Sequence, residues 1–192
     1  SSAHVSAFRS RYENFIETKV NLGLDPASGY TQFQSQNIED TTIEGLEAGW
    51  QTRLGAAERF RIDAAAYYAR GDNDVTGQPL NSVGPPQAVV GFTWFSADER
   101  RSLRLKGTFT DAYDRLDKTS GELFEPAGYA AFDLYLTQKA GRNAIVRAGL
   151  HNLADRTYWN WSDVRGLQPD DPNLPYLARA GRSASVSLNV VW

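Results

Sequence analysis

Several features are absent from this 192-residue sequence, and each absence excludes a class of protein. There is no cysteine, which excludes disulfide frameworks, thiolate zinc sites and cysteine nucleophiles. Apolar runs such as Ala88–Phe92 stop at about five residues, whereas a membrane-spanning helix needs ~20. The net charge of -3 provides no basic surface for nucleic acid. We therefore expect neither a helical membrane protein nor a nucleic-acid-binding protein.

Methionine is also absent, even at position 1, and the sequence opens on Ser1-Ser2-Ala3 without a signal peptide. We therefore expect a mature or excised piece of a longer protein. Signatures of catalysis are missing too: there is no Gly-x-Ser-x-Gly motif, and the two histidines do not have metal-binding spacing. The sequence predicts no enzyme and no metal site. A hydrophobic fraction of 41% nevertheless predicts a folded chain.

Apolar and polar residues alternate with a period of two along most of the chain. Successive side chains of a strand point to opposite faces of its sheet, so each alternating segment predicts a strand with one apolar and one polar face. The predicted fold is an all-β antiparallel meander of about eight strands. The alternating segments are His4–Ile16, Gly45–Leu54, Phe60–Ala69, Gln87–Trp94, Leu103–Thr110, Ala130–Thr137, Ala144–His151 and Ser185–Trp192.

Two further predictions concern the faces of the first strand and the extent of the second. In the first, Phe8 and Tyr12 are assigned to the apolar face, and Arg9 and Arg11 to the polar face. The second reaches back through residues 30–38, where Asn37–Thr41 fits either a bulge or a wide turn that splits the strand. We favour a single bulged strand, because a split would make the strand count odd.

The connections between predicted strands alternate in length. Successive connections of a meander lie at opposite ends of its strands, so the short turns share one end and the long loops the other. Outer-membrane β-barrels have this asymmetry. The short turns are Gly55–Glu58, Ser96–Arg100 and Lys139–Arg142, and the long loops are Glu17–Gly29, Arg70–Pro85, Ala112–Gly128 and Asn152–Ala180.

Alternation alone does not say whether the apolar face points outward, as in a membrane barrel, or inward, as in a soluble one. Three features favour the outward direction. The opposite face carries charges such as Arg61, Asp63 and Arg104, and the last strand ends on an aromatic residue. Large aromatic residues also recur near strand ends, as an interfacial girdle requires: Tyr12, Trp50, Phe60, Tyr68, Trp94, Phe95, Tyr129 and Trp192.

Three motifs resemble TonB-dependent outer-membrane receptors. Asn37–Ala48 is similar to a strand in the C-terminal third of their barrel, where Gly and Glu alternate. Gly149–Tyr158 is similar to their penultimate-strand motif, in which a Gly, an Asn-Leu pair and an Asp precede a Tyr. Ala180-Gly181-Arg182 resembles the entry to their last strand. These receptors usually end in Phe, so Trp192 departs from the pattern while still supplying a terminal aromatic residue.

Two further stretches, Pro79–Gly91 and Tyr158–Leu167, resemble the haem and haemoglobin receptor branch of this family. The resemblance implies that residues 1–192 form the C-terminal segment of a 22-stranded barrel in the outer membrane of a Gram-negative bacterium. It also implies a plug domain that contacts the TonB complex, upstream strands and the usual haem-ligand histidine motif, none of which this sequence contains. We expect outer-membrane lipid, the TonB complex and haem or a haemoprotein as partners, with haem transported rather than permanently bound.

The candidate ligand contacts lie near the ends of the long loops. His151, on the polar face, is either a haem ligand or a hydrogen-bonding residue of the barrel wall, and His4 is a weaker candidate. Tyr158, Trp159 and Trp161 either stack on the ligand or pack the loop onto the barrel rim. Arg165 either pairs with a haem propionate or is solvated. The acidic Asp170-Asp171-Pro172 fits a turn better than a cation site.

The predicted function is therefore TonB-dependent uptake of haem or haemoprotein iron. The alternatives are a receptor for a siderophore or other small metabolite, a self-contained eight-stranded porin-like barrel, and a soluble lipocalin-like binding protein.

Overall fold

The structure, a computed structural model, describes residues 1–191 and contains ten β-strands and two short helices. Within this part of the chain no helix is long and apolar enough to cross a membrane. The elements are β1 (Ser2–Tyr12), β2 (Ile16–Leu24), β3 (Thr31–Asn37), β4 (Thr41–Leu54), β5 (Phe60–Asn73), β6 (Gln87–Phe95), β7 (Arg101–Thr110), β8 (Tyr129–Ala140), β9 (Ala144–His151), α1 (Trp161–Val164), α2 (Leu174–Leu177) and β10 (Ser183–Val190).

Eight of the strands form one antiparallel sheet in the order β1-β4-β5-β6-β7-β8-β9-β10. This confirms the predicted all-β meander of eight strands. The sheet is open, with β1 and β10 at its two edges. The alternation of connection lengths is also confirmed: short turns follow β4, β6 and β8, and long loops follow β5, β7 and β9. We call the two ends of the sheet the turn end and the loop end.

The prediction of a single bulged second strand was wrong. Residues 31–37 form β3, which pairs with β2 in a separate two-stranded sheet, and β4 begins at Thr41. Register shifts between Glu17 and Val20, and between Asn21 and Leu24, interrupt the pairing of this hairpin. The apolar residues of β2 (Ile16, Val20, Leu22 and Leu24) all stand at even positions, so a period-two signal was present in residues that were predicted to be a loop. The β2–β3 hairpin extends the loop end of the sheet between β1 and β4.

The faces predicted for β1 were reversed. Val5 and Ala7 are register partners of Ala48 and Leu46, so they share the apolar face, whereas Phe8 is opposite Gly45 on the polar face. A Cβ atom built on Gly45 would lie 2.6 Å from the Phe8 ring, and one on Gly49 would lie 2.1 Å from the His4 ring. These two glycines leave the space that the rings occupy. By the same register, Arg9 and Arg11 lie on the apolar face.

The apolar face of the sheet is exposed rather than sealed in a core. Trp50 and Phe92 are each 44% exposed and Leu188 is 64% exposed, whereas Arg104 on the opposite face is half-buried in an ion pair with Asp63. This arrangement is that of a sheet whose apolar side faces a non-aqueous medium.

The aromatic girdle is smaller than predicted. The register places Trp50, Phe60, Tyr68 and Trp94 on the apolar face. Tyr12, Phe95 and Tyr129 lie on the polar face instead, where the Phe95 ring is 5.1 Å from the Arg53 guanidinium carbon. Trp192 lies outside the described residues.

Candidate functional site

The long loops pack together at the loop end of the sheet around one aromatic core, which we call the loop cluster. Trp161 of α1 is 6% exposed, and its Nε1 donates a hydrogen bond to the carbonyl oxygen of Asn81 at 2.8 Å. The Tyr113 ring lies 4.4 Å from it, centroid to centroid. The buried members are Tyr113, Trp161, Val164 and Leu174, and the partly buried members are Leu116, Phe124, Trp159, Leu167 and Leu177.

The polar atoms of the aromatic side chains in the loop cluster donate hydrogen bonds to backbone carbonyl oxygens. Burial raises the pKa of Tyr113 to about 12, so its hydroxyl stays protonated and donates to the Leu80 carbonyl oxygen at 3.4 Å. Trp159 Nε1 donates to the Leu174 carbonyl oxygen at 2.7 Å, and its ring packs edge-on against Phe124. Both tryptophans are therefore held within the loops, which favours the packing interpretation of these two residues over direct ligand contact.

The β2–β3 hairpin is fastened to the loop cluster by polar contacts to the segment around α1. Glu17 and Arg165 form a buried ion pair, with Oε1 and Nη1 3.7 Å apart. Ser82 donates to Glu17 Oε2 at 2.7 Å, and Arg165 Nη2 donates to Thr18 Oγ1 at 2.7 Å. Asn21 Nδ2 donates to the Gly166 carbonyl oxygen at 2.6 Å. Arg165 thus has protein partners and is neither solvated nor free.

The hairpin contact is expected to weaken as the pH rises from acid towards neutrality. Burial raises the pKa of Glu17 above its ordinary value of 4.5, and this outweighs the opposing effects of Ser82 and Arg165. A carboxyl whose pKa is raised by folding binds its proton more tightly in the folded state. Its contribution to stability is therefore full below pH 4.5 and is lost as the pH rises through the raised pKa.

Hydrogen exchange of the β2–β3 amides, measured between acid and neutral pH and corrected for intrinsic rates, tests this expectation. Protection should decrease with rising pH in the wild type, and Glu17→Gln should remove the dependence because the amide does not titrate. Glu13→Gln, which removes an exposed carboxylate just before the hairpin, is the matched control. A pH dependence that survives in Glu17→Gln would assign it to another group.

Ion pairs organise the polar face of the sheet below the loop cluster. Arg104 binds Asp63 through two parallel hydrogen bonds of 2.8 and 2.6 Å, and Arg61 Nε lies 3.5 Å from the same carboxylate. Lys106 Nζ lies 3.9 Å from Asp133 Oδ2, and Asp133 Oδ1 accepts the backbone N–H of Asn152 at 2.9 Å. The charges of this face are mostly paired across strands, as expected for a polar wall.

A depression opens on the polar face just below the loop cluster, and we call it the tyrosine depression. The Tyr129 and Tyr158 rings stack in it with centroids 4.0 Å apart. Burial raises the pKa of Tyr158, which keeps its hydroxyl neutral. An aromatic surface flanked by cations can bind a flat ligand that carries carboxylates. Its principal lining residues are Lys106, Tyr129, Asp133, His151, Tyr158, Asn160 and Arg179.

The structure brings the predicted ligand contacts together only in part. His151 and Tyr158 both line the tyrosine depression, whereas Trp161 and Arg165 line an adjoining one that shares Gln87, Tyr129 and Asn160 with it. Trp159 lines neither. His151 Nε2 lies 2.9 Å from Ser185 Oγ, and its ring meets Tyr135 edge-on, so it has the wall contacts of a structural histidine. His4 lies far along the sheet, over Gly49.

Sequence reasoning missed five of these lining residues as ligand contacts: Lys106, Tyr129, Asp133, Asn160 and Arg179. The alternation placed Lys106 on the polar face, which was a usable signal, but nothing marked the loop residues Asn160 and Arg179. Across residues 1–191 no group of three or more His, Asp or Glu side chains is placed to hold a metal ion. Asp171 Oδ1 accepts the Asn173 N–H at 2.8 Å, as in a turn.

Together the exposed apolar face, the paired charges of the polar face and the packed long loops define a wall segment of a large membrane β-barrel. The chain belongs to the TonB-dependent receptor family: the sequence profile described as "TonB dependent receptor-like, beta-barrel" matches residues 1–153.

Relatives include "Hemoglobin and hemoglobin-haptoglobin-binding protein A" of Haemophilus influenzae, which is 26% identical over 186 residues covering 85% of this chain and 17% of the relative. "Hemoglobin-haptoglobin utilization protein B" of Neisseria meningitidis serogroup C is 25% identical over 194 residues, covering 85% of this chain and 24% of that protein. The chain thus spans about a fifth of the length of such relatives.

Solved structures of the same architecture include "Copper transporter OprC", with a TM-score of 0.78 and 21% identity over 98% of this chain and 28% of that one. The ferric enterobactin receptor PfeA of Pseudomonas aeruginosa has a TM-score of 0.69 and 22% identity, covering 98% of this chain and 29% of that receptor. At these identities the likeness establishes the fold.

Proposed function

We propose that this chain is the C-terminal barrel segment of an outer-membrane receptor that takes up iron from haem or haemoproteins. The observation that carries the proposal is the similarity, over 85% of the chain, to proteins named for binding haemoglobin and haemoglobin–haptoglobin. These relatives come from Haemophilus and Neisseria, which are Gram-negative, in keeping with an outer-membrane location. The apolar face would contact lipid and the polar face would line the barrel interior.

In this proposal the segment acts as a receptor wall and not as an enzyme. The loop cluster forms part of the extracellular surface, where the ligand is captured. The tyrosine depression lies just inside the entrance, where Tyr158 offers a neutral aromatic face and Lys106 and Arg179 offer positive charge for a propionate. The TonB complex, acting on a plug domain, would supply the energy that carries the ligand past this wall.

Titration of the complete receptor that contains this chain tests the ligand class. We expect haem to give a saturable change in its Soret absorption, haemoglobin to bind the receptor, and growth on haemoglobin iron to require TonB. Tyr158→Ala combined with Arg179→Gln should weaken haem binding about tenfold, because a stacking surface and a carboxylate partner are lost. Tyr176→Ala, which alters a tyrosine 86% exposed in the same loop, is the matched control.

A ferric catecholate siderophore serves as the competing ligand. Saturable siderophore binding without haem or haemoglobin binding would replace the proposed ligand with the siderophore alternative. Haem binding that is equally weakened by Tyr176→Ala would show that the tyrosine depression is not the contact surface.

A further inference from the structure

A row of charged side chains crosses three neighbouring strands on the apolar face, where that face meets the loop end. Arg9 of β1 is the register partner of Glu44 of β4, which in turn is the partner of Arg70 of β5. We call these three residues the arginine row. The next row on this face towards the turn end, about 7 Å along the strands, has no charge and consists of Ala7, Leu46 and Tyr68.

The guanidinium groups of the arginine row are open to the surroundings. The side chains of Arg9 and Arg70 are 74% and 51% exposed. Arg9 Nε lies 3.9 Å from Glu44 Oε2, and Arg70 Nε donates to Asp72 Oδ2 at 2.9 Å. Solvent screens such exposed pairs, and each guanidinium has five N–H donors, so most of the hydrogen-bonding capacity of both arginines remains available.

The nearby carboxylates are concentrated on the loop side of the row and have cations of their own. Asp72 accepts hydrogen bonds from Arg115 as well as Arg70. Arg11 Nη2 donates to Asp40 Oδ2 at 3.0 Å, and its Nε lies 3.8 Å from an oxygen of Asp74. Within the row itself two arginines face a single glutamate. Asp72 is shared between Arg70 and Arg115, and Arg9 has only the longer contact to Glu44, so Arg9 is the arginine of the row that is least occupied by carboxylates.

An apolar groove begins on the turn side of the row. Its apolar lining is formed by Val5, Leu46, Ala48, Ala66, Tyr68, Ala88 and Phe109, and the carboxylates of its lining are Glu47 and Asp111. Along β5, Ala66 in the groove and Arg70 in the row are four residues apart, which is about 13 Å in a strand. The order of groove, aromatic residue and arginine along one strand matches the order of acyl chain, interface and headgroup in a lipid leaflet.

We propose that the arginine row binds the phosphate group of an anionic lipid whose acyl chain lies in this groove. Guanidinium groups form paired, charge-assisted hydrogen bonds with phosphate oxygens, and two arginines on alternate strands can share one headgroup. The inference rests on the membrane orientation proposed above and is independent of the transported ligand. It identifies a discrete lipid site at the border between the apolar face and the loop end.

The test is native mass spectrometry of the complete receptor in mild detergent, titrated with dioleoylphosphatidic acid. Dioleoylglycerol, which has the same chains without phosphate, is the comparison probe, and inorganic phosphate is the competitor. We expect phosphatidic acid to bind preferentially, and Arg9→Gln combined with Arg70→Gln to weaken that binding about tenfold. Arg59→Gln combined with Arg100→Gln removes the same charge from exposed residues of the turn end, and it should change nothing.

Heat-modifiable migration of each variant on denaturing gels establishes that its barrel is folded. The Ala66→Phe variant places a large side chain in the groove, and it should also weaken the binding of phosphatidic acid. Equal binding of phosphatidic acid and dioleoylglycerol by a folded wild-type receptor would overturn the lipid proposal and leave the proposed function intact. Full competition by millimolar inorganic phosphate, with no dependence on Ala66→Phe, would assign the row to free phosphate and also overturn it.

Discussion

The Ala64→Arg variant is expected to prevent assembly of the receptor into membranes, while the neighbouring Ala65→Arg variant assembles normally. Both alanines lie in the part of β5 that pairs with both β4 and β6, and they face opposite sides of the sheet. Ala64 is the central outward residue of the apolar series Phe60, Ile62, Ala64, Ala66 and Tyr68. An arginine on the lipid face of a barrel costs about 2–4 kcal/mol near the bilayer midplane, whereas a residue that faces the interior stays hydrated.

Ala65 is an unusually close control for this prediction. It is the same residue type one position along the same strand, so strand propensity and side-chain volume change equally in the two variants. Its register partners are Gly49 and Val89, and it lies on the polar face beside the Asp63–Arg104 ion pair. The measurements are the heat-modifiable fraction in the outer membrane and the urea midpoint of the assembled receptor.

Assembly of the Ala64→Arg variant together with failure of the Ala65→Arg variant would contradict the proposed membrane orientation. The polar face would then be the face that contacts lipid. The proposed function and the lipid site would then both fail, since each needs the apolar face to meet lipid.

The strands of the main sheet were predictable because their alternation follows from geometry alone. Period-two patterns located all eight strands, and the sorting of short turns from long loops followed from the meander. The face of β1 was not predictable from its own residues. Large rings at His4 and Phe8 suggested an apolar face, but the missing side chains of Gly49 and Gly45 on the neighbouring strand make room for them on the polar face. The relevant signal lay on another strand, 37 or more residues away.

The candidate site was predictable only where it belongs to a strand. Alternation placed His151 and Lys106 on the polar face, and the resemblance to a family motif singled out Tyr158. The partners of the loop residues are set by tertiary packing between distant segments: Trp161 donates to Asn81, 80 positions earlier, and Arg165 to Thr18, 147 positions earlier. No local pattern distinguishes a tryptophan that packs a loop from one that binds a ligand.

Trp161→Ala is expected to unfold the loop cluster locally and leave the sheet intact. Removing a buried tryptophan from a packed core costs about 3–5 kcal/mol, and the Asn81 carbonyl also loses its donor. The loop cluster consists of loop and α-helical residues that lie outside the eight-stranded sheet, so the loss should not propagate into it. Hydrogen exchange should accelerate in residues 74–86, 111–128 and 152–182, with the β5–β9 amides unchanged.

Two further variants separate packing from ligand contact at this position. Trp161→Phe keeps an aromatic ring but removes the N–H donor, so its effect should be intermediate, with about 1 kcal/mol from the lost hydrogen bond. Tyr176→Ala, at a residue of α2 that is 86% exposed, should leave exchange unchanged. If Trp161→Ala instead weakened haem binding with no change in exchange, the tryptophan would be a ligand contact. Faster exchange before any ligand is added would show that it holds the loops together, because packing acts on the free receptor whereas a ligand contact acts only on the complex.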